Sequence, residues 1–336
     1  MKKYIFTVFF IVSGCILFLS GTWVYFQKTL EKVDLNDGEK ARAYEKYYLM
    51  ISNDRDKDMW QSIYKNAAST AKDKSAYVEL LSPDKRSGNT QEDCLRIGIA
   101  SNVDGIILEA DGSEEEKELI NEANQKGIPV VTALTDDSAS ARISFVGVNS
   151  YQMGTAYTQE LLGLLKPEGA TDIMFLTASD AQAQESNLVF YQVKKELEEK
   201  KSENQEINIS QYAVDNTADF NTEEVVKDIF VKEDLPDVLV CMDSVVTECV
   251  YQALIDYNQV GNVQVIGFYY SDSILDAISK GIISSSVTLD MKDVGEYSIN
   301  ALEEYSALKH TNGYYSVGQN VITRDNVREY RKGAEQ

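Results

Sequence analysis

Ten short apolar runs, rich in β-branched residues, recur along the chain after residue 46 and alternate with segments of helical character. They lie at 47–51, 76–81, 104–108, 129–133, 144–148, 172–176, 207–213, 237–241, 263–266 and 282–287. Apolar runs of this length are typical of strands buried on both faces, and strands that alternate with helices form parallel sheets covered by helices. The sequence therefore predicts an α/β fold with doubly wound parallel sheets.

The stretch 263–295 shows this alternation most clearly. Its first part predicts a buried strand, Ser271 or Asp272 can cap a short helix, and Gly281 ends that helix before a second strand. Ligands of open parallel sheets bind at the carboxyl ends of strands. The aromatic residues 268–270 follow the first strand and are therefore either ligand-facing residues or plugs at the edge of the core.

The same stretch carries a family resemblance. VQVIGF, followed by ILDAISKGIISSSVTLDMKDVG, is similar to the C-terminal signature of the type I periplasmic binding proteins for ribose, galactose, xylose and related sugars. This fold also serves as the effector domain of lactose-repressor-type regulators. Five further signatures occur in family order: YYLMISNDRDKDMWQSIYKNAASTAK at 47–72, VDGIILEA at 103–110, GIPVVT at 127–132, FVGVNSYQMGTAYTQEL at 145–161 and DVLVCMDSVVTECVYQAL at 237–254.

The resemblance covers nearly everything after about residue 45 and implies two lobes. Each lobe would be a doubly wound parallel sheet, and the chain would cross between them three times at a hinge. Transferring those crossings places the first lobe at 47–149 plus 290–313 and the second at 150–289 plus 314–336. A ligand cleft would then lie between the lobes. Periodicity alone does not predict this discontinuity.

Residues 1–26 contain two lysines followed by an unbroken apolar run. At about 1.5 Å per residue this run can cross a hydrocarbon core of about 30 Å, which predicts an uncleaved N-terminal transmembrane helix. The alternative is a lipoprotein, because the residues before Cys15 resemble a lipobox. The lysines place the N-terminus in the cytoplasm and the rest of the chain outside. The charged segment 27–46 is predicted to be a stalk.

Several function classes are disfavoured. The net charge is −22 with no basic stripe, which disfavours a nucleic-acid partner, and an apolar segment stands where a repressor would carry its helix-turn-helix. The only histidine, His310, ends a predicted helix, and neither a nucleophile elbow nor a phosphate loop is present. We therefore expect no enzyme activity, cofactor or metal. Cys94, Cys241 and Cys249 fit buried small hydrophobic positions.

The resemblance also implies which residues contact the ligand, because the family places them in loops after the strands. The candidates at or directly beside the family's contact positions are Asp54, Trp60, Thr135, Asp136, Ser186, Asp243, Tyr269 and Asp290. Two alternatives stay open, since Trp60 also fits the core stripe of its helix and Asp243 also fits an N-cap. Many of the family's polar positions hold apolar or aromatic residues here, which implies a changed or weakened sugar site.

Together these features predict a membrane-anchored, extracytoplasmic solute-binding protein that closes its two lobes over a sugar or similar small polar solute. The predicted role is the substrate-binding component of an ABC transporter, with an ABC permease as its partner. The alternative is a ligand-sensing protein that signals to a membrane histidine kinase.

Overall fold

The computed structural model describes residues 44–53, 57–83, 88–178, 183–214, 219–231 and 234–333. The predicted transmembrane helix over 1–26 and all but the end of the predicted stalk lie outside these ranges. From Tyr44 onward the chain forms one compact unit built on two six-stranded sheets, which confirms the α/β class. None of the helices in the described ranges has the length and apolar character that a membrane span requires.

The first sheet is parallel throughout and has the order β11-β5-β4-β3-β1-β2. Its strands are β1 Lys46–Ile51, β2 Ala76–Leu81, β3 Gly105–Leu108, β4 Val130–Ala133, β5 Ser144–Gly147 and β11 Tyr314–Ser316. The inner strands β3, β4 and β5 are buried at every position, as their continuous apolar runs predicted.

The second sheet has the order β12-β10-β9-β8-β6-β7, and only β12 is antiparallel to its neighbour. Its strands are β6 Gly169–Ala178, β7 Gln205–Val214, β8 Val238–Cys241, β9 Gln264–Phe268, β10 Ser285–Leu289 and β12 Gln319–Thr323. Strands β8 and β10 are again buried at every position.

Helices cover both sheets. They are α1 Lys57–Asp73, α2 Gln91–Ser101, α3 Glu114–Gln125, α4 Ser150–Leu164, α5 Ala183–Lys200, α6 Asp219–Val231, α7 Ser244–Asp256, α8 Asp272–Lys280, α9 Met291–Leu308 and α10 Val327–Gly333. We call each sheet with the helices packed on it a lobe. Helix α4 packs on α5 in the second lobe, whereas α9 returns to the first lobe and packs on α1.

The chain crosses from the first sheet to the second for the last time at a later position in the sequence than the resemblance implied. Residues from 314 onward were expected in the second lobe, but β11 pairs with β5 in the first sheet, with Tyr314 opposite Phe145. The chain passes to β12 only at Val317 and Gly318. A three-residue strand is too short for sequence periodicity to reveal.

The contact between α1 and α9 is unusually close. A Cβ on Gly295 would lie 2.6 Å from the carbonyl oxygen of Ile63 and 2.7 Å from the amide nitrogen of Ala67. Only glycine therefore lets the two helix backbones approach this far. Beside it, Trp60, Ile63 and Ala67 form a buried stripe along α1, which ties the start of that helix to the core.

Candidate functional site

A cleft with about 750 Å³ of space, part of it open solvent, is lined by both lobes. The first lobe contributes Met59, Glu109, Leu134, Thr135 and Val148. The second contributes Ser150, Met153, Tyr157, Ser186, Val189, Met242, Phe268 and Leu289. Most of these residues end a strand, follow one directly, or lie in the first turns of the next helix. This is the position where open parallel sheets bind ligands.

Glu109 is the one charged side chain among the described residues that line the cleft. It follows β3 directly, where its amide nitrogen donates to the carbonyl of Ile51 at 2.9 Å, and the residue is only 4% exposed. Its carboxylate accepts a hydrogen bond from the amide of Asn53 at 2.9 Å, and its carbonyl accepts one from Nε2 of Gln91. These bonds thus hold both the backbone and the carboxylate of Glu109 at the wall.

Thr135 supplies a hydroxyl to the same wall. It follows Leu134, which has a φ of 67°, in the left-handed region that non-glycine residues rarely adopt. Thr135 is 8% exposed, and its Oγ1 has no hydrogen-bond partner among the described residues. Leaving a buried hydroxyl unpaired costs about 1–3 kcal/mol, so a bound solute that pairs with Thr135 would recover this energy.

The wall formed by the second lobe is mostly apolar. Met153 and Val189 lie early in α4 and α5, and Phe268 ends β9. Ser186, in the first turn of α5, adds a buried hydroxyl. The hydroxyl of Tyr157 donates to the carbonyl of Cys241 at 3.1 Å, and burial raises the pKa of this phenol well above its usual range. Tyr157 is therefore a fixed, neutral part of the wall.

Residues 48–310 match the family model of the periplasmic binding protein domain. The chain belongs to the periplasmic binding protein family. The six ordered signatures predicted this family, of type I, and the prediction is confirmed. No curated protein matches the chain.

Solved structures of the same fold resemble this periplasmic binding protein along most of its length. A XylFII–LytSN complex is 23% identical, with 83% of this chain and 98% of that chain covered and a TM-score of 0.68. GanP, a glucose-galactose binding protein from Geobacillus stearothermophilus, is 20% identical over 84% and 98%, with a TM-score of 0.71. A sugar ABC transporter (sugar-binding protein) from Bacillus halodurans is 22% identical over 84% and 99%, with a TM-score of 0.70. At sequence identities this low, the similarity establishes a shared fold only.

Two of the site residues predicted for this periplasmic binding protein line the cleft from opposite walls. Thr135 lies on the first-lobe wall and Ser186 on the second-lobe wall. Asp54 lies outside the described residues. The other five are not among the residues that line the cleft, and they are Trp60, Asp136, Asp243, Tyr269 and Asp290.

Trp60 is a core residue. It is 1% exposed and shares its helix face with Ile63 and Ala67, whereas Met59 lines the cleft. The expectation of ring stacking on a ligand is therefore corrected in favour of the alternative position in the core stripe. Adjacent helix residues point about 100° apart, and here Met59 lines the cleft while Trp60 packs in the core.

Asp136 is held in a structural ion pair. Its carboxylate accepts hydrogen bonds from Nε and Nη2 of Arg142, the latter at 2.7 Å, and from Oγ1 of Thr132 at 2.8 Å. Arg142 also donates to the carbonyl of Gly313 at 3.2 Å. These bonds stabilise this corner of the first lobe, and Asp136 is not among the residues that line the cleft.

Asp243 and Asp290 are helix N-caps. The Asp243 carboxylate accepts from the amide of Val246 at 3.0 Å, and that of Asp290 accepts from Lys292 at 3.0 Å and Asp293 at 3.3 Å. In both cases the residue one position earlier, Met242 or Leu289, lines the cleft. For Asp243 the structure shows the N-cap, which the sequence analysis had offered as compatible with ligand contact.

Tyr269 is buried beside the cleft. It has a φ of 61°, its amide donates to the carbonyl of Val287 at 2.8 Å, and its ring stacks on Tyr270 with centroids 5.0 Å apart. Phe268 lines the cleft instead. Tyr269 is packed in the core beside this left-handed turn, so Phe268 and not Tyr269 lines the cleft.

The sequence interpretation missed Glu109, Met153 and Tyr157. Glu109 had a detectable signal, because it is the first charged residue after the apolar run 104–108, the rule already applied to 268–270. Met153 and Tyr157 had none, since they fit an ordinary core stripe on α4. In the described part of the chain, no group of three acidic, histidine or cysteine side chains is arranged to hold a metal ion.

Proposed function

We propose that this periplasmic binding protein binds a small polar, sugar-like solute in the cleft and closes its two lobes over it. The observation that carries the proposal is the lining of one cleft by strand ends of both lobes. A solute that contacts both walls only in the closed state shifts the population toward closure.

The chemistry of the walls supports a sugar-like solute. Sugar hydroxyls can donate to a carboxylate such as Glu109 and pair with the hydroxyls of Thr135 and Ser186. The apolar side chains of the second lobe, Phe268 and Met242 among them, suit the C–H face of a sugar ring. The structural similarity to GanP, a glucose-galactose binding protein, supports the same class of solute.

For the biological role we propose delivery of the solute to an ABC permease. The Bacillus halodurans structure named a sugar ABC transporter (sugar-binding protein) supports this role. A second role is ligand sensing coupled to a membrane histidine kinase. The XylFII–LytSN complex favours it, because there a protein of this fold is found in complex with a second protein.

We further propose that residues 1–26 anchor the chain in the membrane, with the two lobes outside the cytoplasm. The unbroken apolar run on both sides of Cys15 supports the anchor. The intact mass of membrane-extracted protein should include Met1 or Lys2 and no lipid. A mature chain that starts at a lipid-modified Cys15 contradicts this proposal.

Thermal unfolding of the full-length protein in the presence of a panel of monosaccharides tests the proposed class of solute. A solute at 100 times its Kd should stabilise the folded state by about 2.7 kcal/mol. A panel without any stabilising sugar contradicts the proposed solute class.

The two roles are separated by deleting the protein from cells. Loss of solute uptake supports the transporter. Intact uptake with loss of the solute-induced transcriptional response supports the sensor.

A further inference from the structure

Tyr270 lies two residues after Phe268, which lines the cleft, but Tyr270 itself is not part of the lining. Its ring stacks on the ring of Tyr269, with centroids 5.0 Å apart. On α10, the ring of Tyr330 meets it edge-on, with centroids 5.4 Å apart and an interplanar angle of 70°. Stacked and edge-to-face pairs at these separations are arrangements that aromatic rings prefer. Tyr270 is therefore held between a ring of its own loop and a ring of α10.

Helix α10, which carries Tyr330, is attached to the second lobe by further contacts. Val327 is buried in the core cluster against which both Tyr330 and Tyr270 pack. Arg331 forms an ion pair with Asp276 on α8. The ring of Tyr330 thus extends from a helix that is fixed on the lobe.

The loop that contains Tyr270 leads directly to the cleft wall. The amide of Tyr269 donates to the carbonyl of Val287 at 2.8 Å, and the amide of Phe268 donates to Oγ1 of Thr247 at 3.0 Å. These bonds fix the backbone on the strand side, and the ring contacts of Tyr270 hold the other end of the same loop. A displacement of Tyr270 therefore acts on a segment of three residues whose first member lines the cleft.

The matching loop of the first lobe has no such support. Thr135 occupies the position that matches Tyr270, and it lines the cleft. Strand β12 leads into α10, whereas the matching β11 leads through Val317 and Gly318 into the second sheet. Within the described ranges, the first lobe therefore has no helix in the place of α10. The residue that matches Tyr270 faces the cleft in the lobe that lacks a counterpart of Tyr330.

We propose that Tyr330 is a positioning residue of the binding site. Its ring holds Tyr270 out of the cleft and fixes the loop 268–270, so that Phe268 keeps its place in the second-lobe wall. Loss of the ring frees Tyr270 to move toward the cleft and weakens solute binding. The effect on affinity rests on the proposed function, whereas the effect on the loop does not.

Amide hydrogen exchange of the full-length protein tests the loop without any solute. Tyr330→Ala should speed exchange in the peptide that spans 268–270 by about five-fold, because the edge-to-face contact is lost. The matching first-lobe peptide, which spans 133–135, should keep wild-type exchange. Tyr330→Phe retains the ring and should behave as the wild type. Wild-type exchange at 268–270 in Tyr330→Ala overturns the proposal.

Tyr257→Ala is the matched control. Tyr257 packs against the same core cluster as Tyr330 and its ring lies 5.9 Å from that of Phe230, but neither member of this pair lines the cleft. This variant should keep wild-type exchange at 268–270. An acceleration equal to that of Tyr330→Ala would show that a general loss of stability loosens the loop, which overturns the proposal.

Tyr330→Leu covers the case in which Tyr330→Ala does not fold. Leucine keeps much of the apolar volume but has no aromatic edge to place against Tyr270. Faster exchange at 268–270 is again the expected result, and wild-type exchange there overturns the proposal.

Solute affinity, measured by calorimetry with a monosaccharide that stabilises the protein, tests the link to the cleft. Kd should rise about five-fold in Tyr330→Ala and keep its wild-type value in Tyr330→Phe and Tyr257→Ala. In a Tyr270→Ala background, Tyr330→Ala should change Kd little further, because the ring that it holds is gone. An equal rise in both backgrounds overturns the role of Tyr270.

These measurements separate the proposal from the proposed function. If no monosaccharide binds, the proposed function fails, while exchange at 268–270 still decides whether Tyr330 fixes the loop. If exchange becomes faster in Tyr330→Ala but Kd is unchanged, the link between the loop and the cleft is overturned.

Discussion

The two lobes are built on the same plan but present different chemistry to the cleft. Their sheets share one strand order, with β1 to β5 of the first sheet matching β6 to β10 of the second. The helix after the fifth strand leaves its own lobe in both cases, so that α4 packs on α5 and α9 packs on α1. Each lobe thus receives a helix from the other, which ties the two together near the hinge.

The correspondence extends to single residues. Leu134 and Tyr269 follow matching strands, both have positive φ, and their amides donate to Val146 and Val287 at 2.9 and 2.8 Å. Likewise Asn149 and Asp290 cap the two exchanged helices. The backbone at the mouth of the cleft is therefore repeated in both lobes.

The side chains at matching positions differ where they face the cleft. Glu109 follows β3, whereas Met242 follows the matching β8, and both line the cleft. Thr135 matches Tyr270, which follows the buried Tyr269 and does not line the cleft. One backbone plan thus supports a wall with a carboxylate and a hydroxyl and a wall that is largely apolar. Backbone geometry positions the wall residues, and the side chains decide what they can bind.

Substitutions in α4 and α9, the helices that pack on the opposite lobe, are expected to have the largest effect on folding stability. Gly295 on α9 matches Gly154 on α4, but an added Cβ meets backbone atoms of α1 at 2.6 Å in the first case and the Gln192 side chain at 2.6 Å in the second. Gly295→Ala should therefore cost about 3 kcal/mol of unfolding free energy and Gly154→Ala about 1 kcal/mol, measured by urea denaturation. Equal losses would show that the two contacts are equally adaptable.

Removing the N-caps of the same two helices should lower folding stability by amounts that differ less between the two lobes. Asp290→Ala should cost about 1.5 kcal/mol, because its carboxylate accepts from two amides and its charge favours the helix N-terminus. Asn149→Ala removes one bond to Tyr151, at 2.8 Å, and should cost about 1 kcal/mol. Urea denaturation of both variants tests the order, and a larger loss for Asn149→Ala contradicts it.

A substitution in the first-lobe wall of the cleft is expected to have the smallest effect, and to act on solute affinity and not on folding. Thr135→Val should weaken binding of a stabilising monosaccharide by about 1 kcal/mol, or roughly five-fold in Kd, and leave folding stability unchanged or slightly higher. Ser144→Ala is the control, because Oγ of Ser144 is also buried and unpartnered among the described residues but lies outside the cleft lining. Calorimetry should find wild-type affinity in Ser144→Ala. Unchanged affinity in Thr135→Val would show that this wall does not contact the solute.

The sequence by itself determined what depends on neighbours along the chain. It predicted α8 with its start and end, and in the structure Oγ of Ser271 accepts from the amide of Ile274 at 3.3 Å and Gly281 has a φ of 71°. Capping and strand formation depend on a few adjacent residues, so local patterns suffice. The ordered signatures added the family.

Only the tertiary structure decided which residues face the cleft. Successive residues of a strand point to opposite sides, so a shift of one position exchanges Phe268 for Tyr269 or Met242 for Asp243. Asp136 forms an ion pair with Arg142, whose side chain reaches it across a turn. The point at which the chain passes to β12 depends on the pairing of β11 with β5. These outcomes rest on side-chain orientation, side-chain pairing and strand pairing, which residue type and spacing do not specify.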